Sequence, residues 1–172
     1  ARYLSITSLS VPTIAALDGP AIGAGLCVAM ACDLCVVDED AKLALNFAKL
    51  GLHPGMGATY LAPLRAGAMR GAELLYSGRR FDGREAQRLG LALEAVPTSE
   101  VRGRAALLAR EIASAAPLAI RGLHRTLGID RAALARALAH EAREQALSYA
   151  SADLGEGLRA ATEKRAPRFT GR

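Results

Sequence analysis

Residues 11–25 read VPTIAALDGPAIGAG, and this stretch decides the fold. The run at 11–17 is almost continuously apolar, which is typical of a strand buried on both faces. The DGP tripeptide at 18–20 is a turn signal, and Gly23-Ala24-Gly25 then opens an apolar helix predicted over 26–32. A buried strand that leads through a glycine turn into a buried helix predicts an α/β fold.

The elements that follow repeat this mixture of strands and helices. Residues 34–37 and 42–45 predict two more short strands. The stretch KLGLHPGMG at 49–57 has Gly or Pro at four of its nine positions, which predicts a shaped loop. The spacing of apolar residues predicts helices over 58–64 and 68–76.

The pattern becomes helical after residue 97. Asp82, with Glu85 three residues later, predicts the start of one more helix in the mixed region, and Gly90 its end. A last strand is predicted over 91–96. Beyond it, helices are predicted over 101–115, from Pro117 to Gly128, and from Asp130 to about residue 152. We therefore divide the chain into a core at 1–97 and a helical region at 98–172.

Composition excludes several classes of protein. The 172 residues are 51% hydrophobic, 23% charged and 4% aromatic with no Trp, which excludes a disordered chain and gives no stacking surface for nucleic acid. The net charge of +5 lies at 96–172, where Arg and Glu alternate along helices, as at Arg136, Glu141 and Arg143. The longest apolar run, 21–32, is too short to span a membrane. We expect an anionic small ligand or a second subunit as partner, and neither nucleic acid nor membrane.

The cysteines predict a reduced cytoplasmic protein. Cys27, Cys32 and Cys35 lie within nine residues, and their odd number argues against a disulfide framework. Only His53 lies within twenty residues of the pair at 32 and 35, which is too little for a closed metal site. We expect buried free thiols and no metal.

The glycine turn at 23–25 is the candidate binding element. The first N–H groups of a helix have no partners within the helix, and the helix dipole adds partial positive charge there, so such a turn binds anions or a developing oxyanion. Close packing alone is the other reason for glycines at this point, and the turn by itself leaves both interpretations open.

Together with its flanks, the turn resembles the enoyl-CoA hydratase/isomerase, or crotonase, superfamily. Five blocks match in order: residues 11–25 with AMACD at 29–33; LGLHPGMGAT at 50–59; SGR at 77–79; AQRLGLA at 86–92; and EG at 156–157 with EKRAPRF at 163–169. The resemblance implies a spiral core of ββα units followed by C-terminal helices that associate into a homotrimer or a dimer of trimers.

The resemblance also implies binding of an acyl-CoA or enoyl-CoA thioester as substrate or ligand, with no further cofactor. In the family an oxyanion hole of two backbone amides holds the thioester oxygen, and one of them falls on Ala24, with Gly23 and Gly25 shaping the turn. The other comes from an upstream Ala-Gly-x-Asp loop, which this sequence lacks. We therefore expect the spiral core at 1–97 to be partial and the chain to be N-terminally incomplete.

The acid and base positions of the family are not acidic here. Hydration of an enoyl thioester needs carboxylates to position water and move its proton, and the resemblance places them at Cys27 and Phe47, or at Met56 in some relatives. We expect an activity other than plain hydration. His53 in the shaped loop is either a replacement base or a hydrogen-bonded structural residue. Cys27 is either a nucleophile or a small buried side chain.

Two hypotheses for function follow from the resemblance. The first is a lyase- or isomerase-type enzyme of fatty acid metabolism, with His53, Met56 and Phe47 lining the acyl pocket and Cys27 as a further substrate-binding position. The second is a non-catalytic acyl-CoA-binding or scaffold protein on the same fold. Lys164 matches a tail position that approaches CoA phosphates in the family, although an exposed helix lysine explains it equally well.

Overall fold

The computed structural model describes residues 2–172, and strands and helices alternate in it up to Val96. The strands are β1 (Ile14–Leu17), β2 (Ala21–Ile22), β3 (Leu34–Asp38), β4 (Leu43–Ala44), β5 (Arg80–Phe81) and β6 (Glu94–Val96). The helices are α1 (Ala24–Ala31), α2 (Ala58–Ala66), α3 (Ala68–Ser77), α4 (Gly83–Arg88), α5 (Val101–Ala113), α6 (Pro117–Leu127), α7 (Arg131–Ala150) and α8 (Ala152–Thr162). Short 3-10 turns lie at Arg2–Ser8, Ala48–Leu50 and Thr98–Glu100.

A parallel sheet in the order β1-β3-β6 forms the base of the core. β3 is central, and its Val36 and Val37 are fully buried, as the apolar run predicts for a strand covered on both faces. β1 is less buried than its sequence suggests, since Ala16 is exposed. The reason is that, among the described residues, β1 pairs with β3 alone and so lies at the edge of the sheet.

A second sheet, in the order β2-β4-β5, sets the start of α1. The sequence predicts residues 21–22 as part of the glycine loop, but the structure makes them a strand parallel to β4. Ala21 donates its N–H to Lys42 over 3.1 Å, and Gly23 donates to Ala44 over 2.8 Å. This pairing brings the chain to its turning point at Gly23, so α1 begins at Ala24, two residues earlier than predicted.

Helix α1 is buried and is fixed at its far end by an arginine from α2. Leu26, Cys27 and Met30 are buried in the main core. The Arg65 guanidinium donates to the Met30 carbonyl over 3.1 Å and to the Cys32 carbonyl over 2.5 Å. Because the last carbonyls of a helix lack partners within it, this contact satisfies them and ties α1 to α2.

The predicted start of α4 is confirmed. The Asp82 carboxylate accepts the Glu85 N–H over 2.7 Å, and Gly90 takes the left-handed conformation after the helix, with φ of 81°. Replacing Asp82 with alanine removes this cap, so we expect the free energy of unfolding to fall by about 1 kcal/mol. Denaturant unfolding measures the loss, and Asp82→Asn, which keeps a capping oxygen, is the control. Equal losses in both variants would show that the cap contributes nothing.

The C-terminal part contains one helix more than the sequence predicts. The predicted helix that runs to about residue 152 ends at Ala150, and α8 follows after Ser151. α8 packs on the 3-10 turn Ala48–Leu50 through Gly157, where an added Cβ would lie 2.5 Å from the Leu50 carbonyl carbon. No helix among residues 2–172 is long and apolar enough to cross a membrane. The division at residue 97 stays a prediction.

Candidate functional site

The N-terminus of α1 is the starting point of the candidate site. Gly23 has φ of 55° and ψ of −110°, a conformation that residues with a side chain disfavour. Its own N–H donates a hydrogen bond to the Ala44 carbonyl. Ala24 and Gly25 follow as the first helical residues, and both are exposed. Within residues 2–172 the Ala24 N–H has no hydrogen-bond acceptor. An unpaired N–H of an exposed residue at the positive end of a helix can donate a hydrogen bond to an anion or an oxyanion.

Phe47 lies against this turn. A Cβ built on Gly23 would lie 3.6 Å from the Phe47 ring, so the missing side chain of Gly23 leaves room for the aromatic ring. Phe47 is itself buried in the main core. It therefore provides an apolar surface beside the turn, at one of the positions where the family resemblance leads us to expect an acid.

Cys27 lies one turn further along α1, in the interior. It is fully buried, and its Sγ lies 3.9 Å from the carbonyl oxygen of Gly55. Burial, and after it the nearby charge of Glu141, raises the pKa of the Cys27 thiol to about 12. A thiol that stays protonated at neutral pH is a poor nucleophile, which favours the interpretation of Cys27 as a small buried side chain.

The thiols give a direct test of this burial. All three cysteines are free and buried, and burial also raises the pKa of Cys35 to about 12. We expect a thiol-reactive disulfide reagent at pH 8 to modify Cys27 and Cys35 only on unfolding, because in the native state both are covered and protonated. Titration of the native and the denatured protein, with the modified residues mapped, measures this. Rapid native labelling of Cys27 would contradict it.

The loop at 51–57 enters α2 through two left-handed residues. Met56 has φ of 60° and Gly57 has φ of 77°. The left-handed conformation is uncommon for an apolar side chain such as that of methionine. Met56 is half-buried and packs against the main core, so it contributes apolar surface to this loop.

His53 faces α7 and its own loop. Its Nδ1 lies 2.7 Å from the Pro54 carbonyl oxygen, which can only accept, so Nδ1 carries a proton and the neutral ring keeps Nε2 as an acceptor. The His53 N–H donates to Ser148, and the His53 carbonyl accepts from Gln145. The ring lies edge to face with His140, with 6.1 Å between centroids. None of these contacts joins His53 to α1.

Three residues of α7 that contact this loop were not identified from the sequence. Glu141, Gln145 and Ser148 all hydrogen-bond to the segment at 53–59. The sequence analysis places Glu141 in a series of alternating charges, whereas the structure buries it, at 1% exposure. The spacing of four and three residues along an Ala-rich helix is the signal that could have identified this polar face.

Lys164 lies apart from this cluster, at the exposed end of α8. It has φ of 55°, and the residue after it, Arg165, forms an ion pair with Glu156. Hydrogen bonds from the Arg165 guanidinium, and then from the Arg168 N–H, lower the pKa of Glu156 to about 2, so this tail contact persists in mildly acidic solution. Residues 2–172 contain no group of three or more His, Cys, Asp or Glu side chains placed to hold a metal ion.

Comparison with known proteins identifies the family. The sheets, the glycine turn and the exposed start of α1 define an α/β protein with an unpaired N–H at a helix N-terminus. The whole chain, residues 1–172, matches the sequence model of the enoyl-CoA hydratase/isomerase family. The chain belongs to this family.

Two curated relatives from mouse are similar to most of the chain. Enoyl-CoA hydratase domain-containing protein 2, mitochondrial, is 39% identical over 97% of this chain and 58% of its own length. Methylglutaconyl-CoA hydratase, mitochondrial, is 40% identical over 96% of this chain and 54% of its own length. The chain thus spans little more than half the length of these relatives.

Solved structures agree with the fold. Enoyl-CoA hydratase/isomerase from Pseudoalteromonas atlantica is 29% identical, with a TM-score of 0.88 over 98% of this chain and 68% of that one. A carnitinyl-CoA dehydratase from Mycobacterium avium is 32% identical, with a TM-score of 0.87 over 95% of this chain and 66% of that one. The predicted crotonase-like α/β fold with C-terminal helices is confirmed.

Proposed function

We propose that the protein binds the thioester of an acyl-CoA or enoyl-CoA, with the carbonyl oxygen accepting a hydrogen bond from the Ala24 N–H. The observation that supports this most directly is that Ala24 is an exposed residue at the start of α1 and that its N–H has no acceptor among residues 2–172. Gly23 fixes the direction of the turn, and neither Gly23 nor Gly25 has a side chain that would obstruct a ligand.

The chemistry of this arrangement is polarisation of the thioester. A hydrogen bond from Ala24, reinforced by the α1 dipole, stabilises negative charge that develops on the carbonyl oxygen as the thioester becomes an enolate. Because Arg65 ties the C-terminal end of α1 to α2, the amide is already in place before a ligand arrives. Preorganised donors of this kind stabilise a transition state without a cost of reorganisation.

The reaction we propose is not plain hydration. Water addition to an enoyl thioester requires carboxylates at the reacting carbons. Cys27, Phe47 and Met56 occupy the positions in question and present sulfur and hydrocarbon, which suits the wall of an acyl pocket. Glu141 is the nearby carboxylate, but both of its oxygens accept hydrogen bonds from protein donors and it is closed off from solvent.

His53 is the proposed base in the enzymatic form of this function. Its Nδ1–H is held by the Pro54 carbonyl, which leaves Nε2 as the ring nitrogen with a lone pair to accept a proton. In the same proposal Lys164 contacts a CoA phosphate, and the protein works as a cytoplasmic homo-oligomer. The exposed leucines of the C-terminal helices, Leu118 and Leu147 among them, would lie in such a subunit interface.

The second candidate function is non-catalytic binding of acyl-CoA. A specific observation favours it: every contact of His53 described above is to its own loop or to α7, which is how a structural histidine is held. The anion-accepting turn at Ala24 serves binding and catalysis equally.

The two functions are separated by measuring binding and turnover side by side. Protein expressed from the complete reading frame is titrated with a panel of enoyl-CoA and acyl-CoA thioesters, and each mixture is assayed for products. Turnover that disappears in His53→Ala, with thioester affinity unchanged, supports an enzyme with a replacement base. Tight binding without turnover leaves only the binding function. Failure to bind any thioester rejects both.

A further inference from the structure

One face of α7 holds the backbone of the glycine-rich loop. Glu141, Gln145 and Ser148 are four and three residues apart, which places their side chains on a single side of the helix. Gln145 donates to the His53 carbonyl over 3.1 Å, and Ser148 accepts from the His53 N–H over 3.0 Å. Together with Glu141, they contact both ends of the segment at 53–59, so α7 supports the loop that the proposed function places beside the acyl group.

Glu141 makes the strongest of these contacts. One carboxylate oxygen accepts the Gly57 N–H over 2.7 Å, and the other accepts the Thr59 N–H over 2.9 Å and the Thr59 hydroxyl over 2.7 Å. A buried carboxylate is tolerated only when it is hydrogen-bonded in this way. Gly57 directly precedes α2 and has no side chain with which to cap it. Glu141 therefore caps α2 from another helix, at the end where the dipole favours negative charge.

The loop is held from its other side by α1. The Cys27 thiol contacts the Gly55 carbonyl, and a Cβ built on Gly55 would lie 2.9 Å from the Gln145 side-chain carbon Cδ. At Gly55, therefore, the loop backbone alone separates α1 from α7. A shift of Gly57 or Thr59 would thus move the loop relative to α1.

We propose that Glu141 is a positioning residue of the acyl pocket. By holding the amides of Gly57 and Thr59, it fixes the loop at 53–57 at the separation from the α1 N-terminus that a bound acyl group needs. This inference rests on the proposed thioester-binding function. Glu141 acts through the loop and does not touch the ligand, because its oxygens are occupied and it is buried.

The test compares Glu141→Gln with Glu144→Gln in protein from the complete reading frame. Glutamine at 141 keeps the size of the side chain but presents an NH₂ group to at least one of the three donors, so that one amide loses its acceptor. Glu144 lies on the same helix, and within residues 2–172 its side chain makes no hydrogen bond, so it is the matched control. Thr59→Val, which removes the hydroxyl donor alone, is the second variant if Glu141→Gln does not fold.

Two probes are titrated against each variant: a short acyl-CoA thioester and free CoA. A residue that positions the acyl pocket affects only the first, whereas general damage to the fold weakens both. We expect Glu141→Gln to bind the thioester at least tenfold more weakly than the unaltered protein does, while its affinity for free CoA changes by less than twofold. Thr59→Val should show a smaller loss of thioester affinity, also without a loss for free CoA. Glu144→Gln should match the unaltered protein with both probes. Hydrogen exchange at the Gly57 and Thr59 amides should accelerate in Glu141→Gln.

The outcomes separate this proposal from the proposed function. Unchanged thioester binding in Glu141→Gln, or equal losses for the thioester and free CoA, overturns the role of Glu141 while leaving the proposed function intact. If the unaltered protein binds no thioester, the proposed function fails and the role of Glu141 fails with it. If Glu141→Gln does not fold and Thr59→Val does, the affinities of Thr59→Val for the thioester and for free CoA decide the role of Glu141 by the same criteria.

Discussion

Replacing Ala24 with proline is expected to abolish most thioester recognition while leaving the protein folded. Proline has no N–H, so the substitution removes the one donor that the proposed function requires of this residue. Loss of a single oxyanion donor lowers turnover by roughly 10²-fold to 10³-fold, and loss of a hydrogen bond to a polar ligand lowers affinity by about tenfold. Ala24 is exposed, and its N–H has no other partner among residues 2–172.

The position tolerates proline for a structural reason. Ala24 is the first residue of α1, and proline is favoured at the first helical position because its fixed φ suits the helix and the missing N–H bonds nothing there. The residue before it is Gly23, which has no Cβ to clash with the proline ring. Thermal unfolding should therefore change little.

The control for this substitution is Ala24→Ser, which keeps the N–H and adds only a small exposed group. Thioester titration by calorimetry, and an assay for turnover where the enzyme proves active, are run on both variants. Full affinity in Ala24→Pro, with the fold intact, would remove the Ala24 amide from the proposed mechanism.

The start of α1 illustrates how much of the site could be predicted from sequence. The motif at 23–25 predicts a helix opening at a glycine turn, and the structure has one, but its position depends on pairing between β2 and β4. Ala21 and Gly23 donate to carbonyls of residues twenty or more positions away. The local sequence does not indicate which distant carbonyl will accept a hydrogen bond from these N–H groups. The helix therefore begins two residues earlier than the local signal indicates.

Glu141 illustrates what the sequence could not give. A glutamate among arginines in an Ala-rich helix is typical of a solvated face, and most such residues are exposed. Its burial depends on where α7 lies against the loop and on the two amides that point at it there. By contrast, the apolar character of Cys27, Phe47 and Met56 was evident from the sequence alone, because residue type is read directly and needs no geometry.

The same three residues raise the question of whether a hydratase could be restored by returning a carboxylate, and we expect that Cys27→Glu fails. Cys27 is fully buried, and the Glu141 charge already opposes ionisation there. A second carboxylate without a cation or free donors would be desolvated and repelled. We expect the free energy of unfolding at pH 7 to fall by about 3 to 5 kcal/mol, with no gain of hydration.

The pH dependence of this loss identifies its cause. Burial and the Glu141 charge raise the pKa of the introduced carboxyl in the folded state, so the folded protein keeps that proton at a pH where the unfolded chain has lost it. Stability of the variant relative to the parent therefore falls as pH rises from about 4 and recovers as pH is lowered. Denaturant unfolding from pH 4 to pH 8, with Cys27→Ala as the control for lost volume, measures this. If the loss in free energy of unfolding does not depend on pH, altered packing is its cause instead. If Cys27→Glu is stable and hydrates an enoyl-CoA, this position belongs to a reactive site.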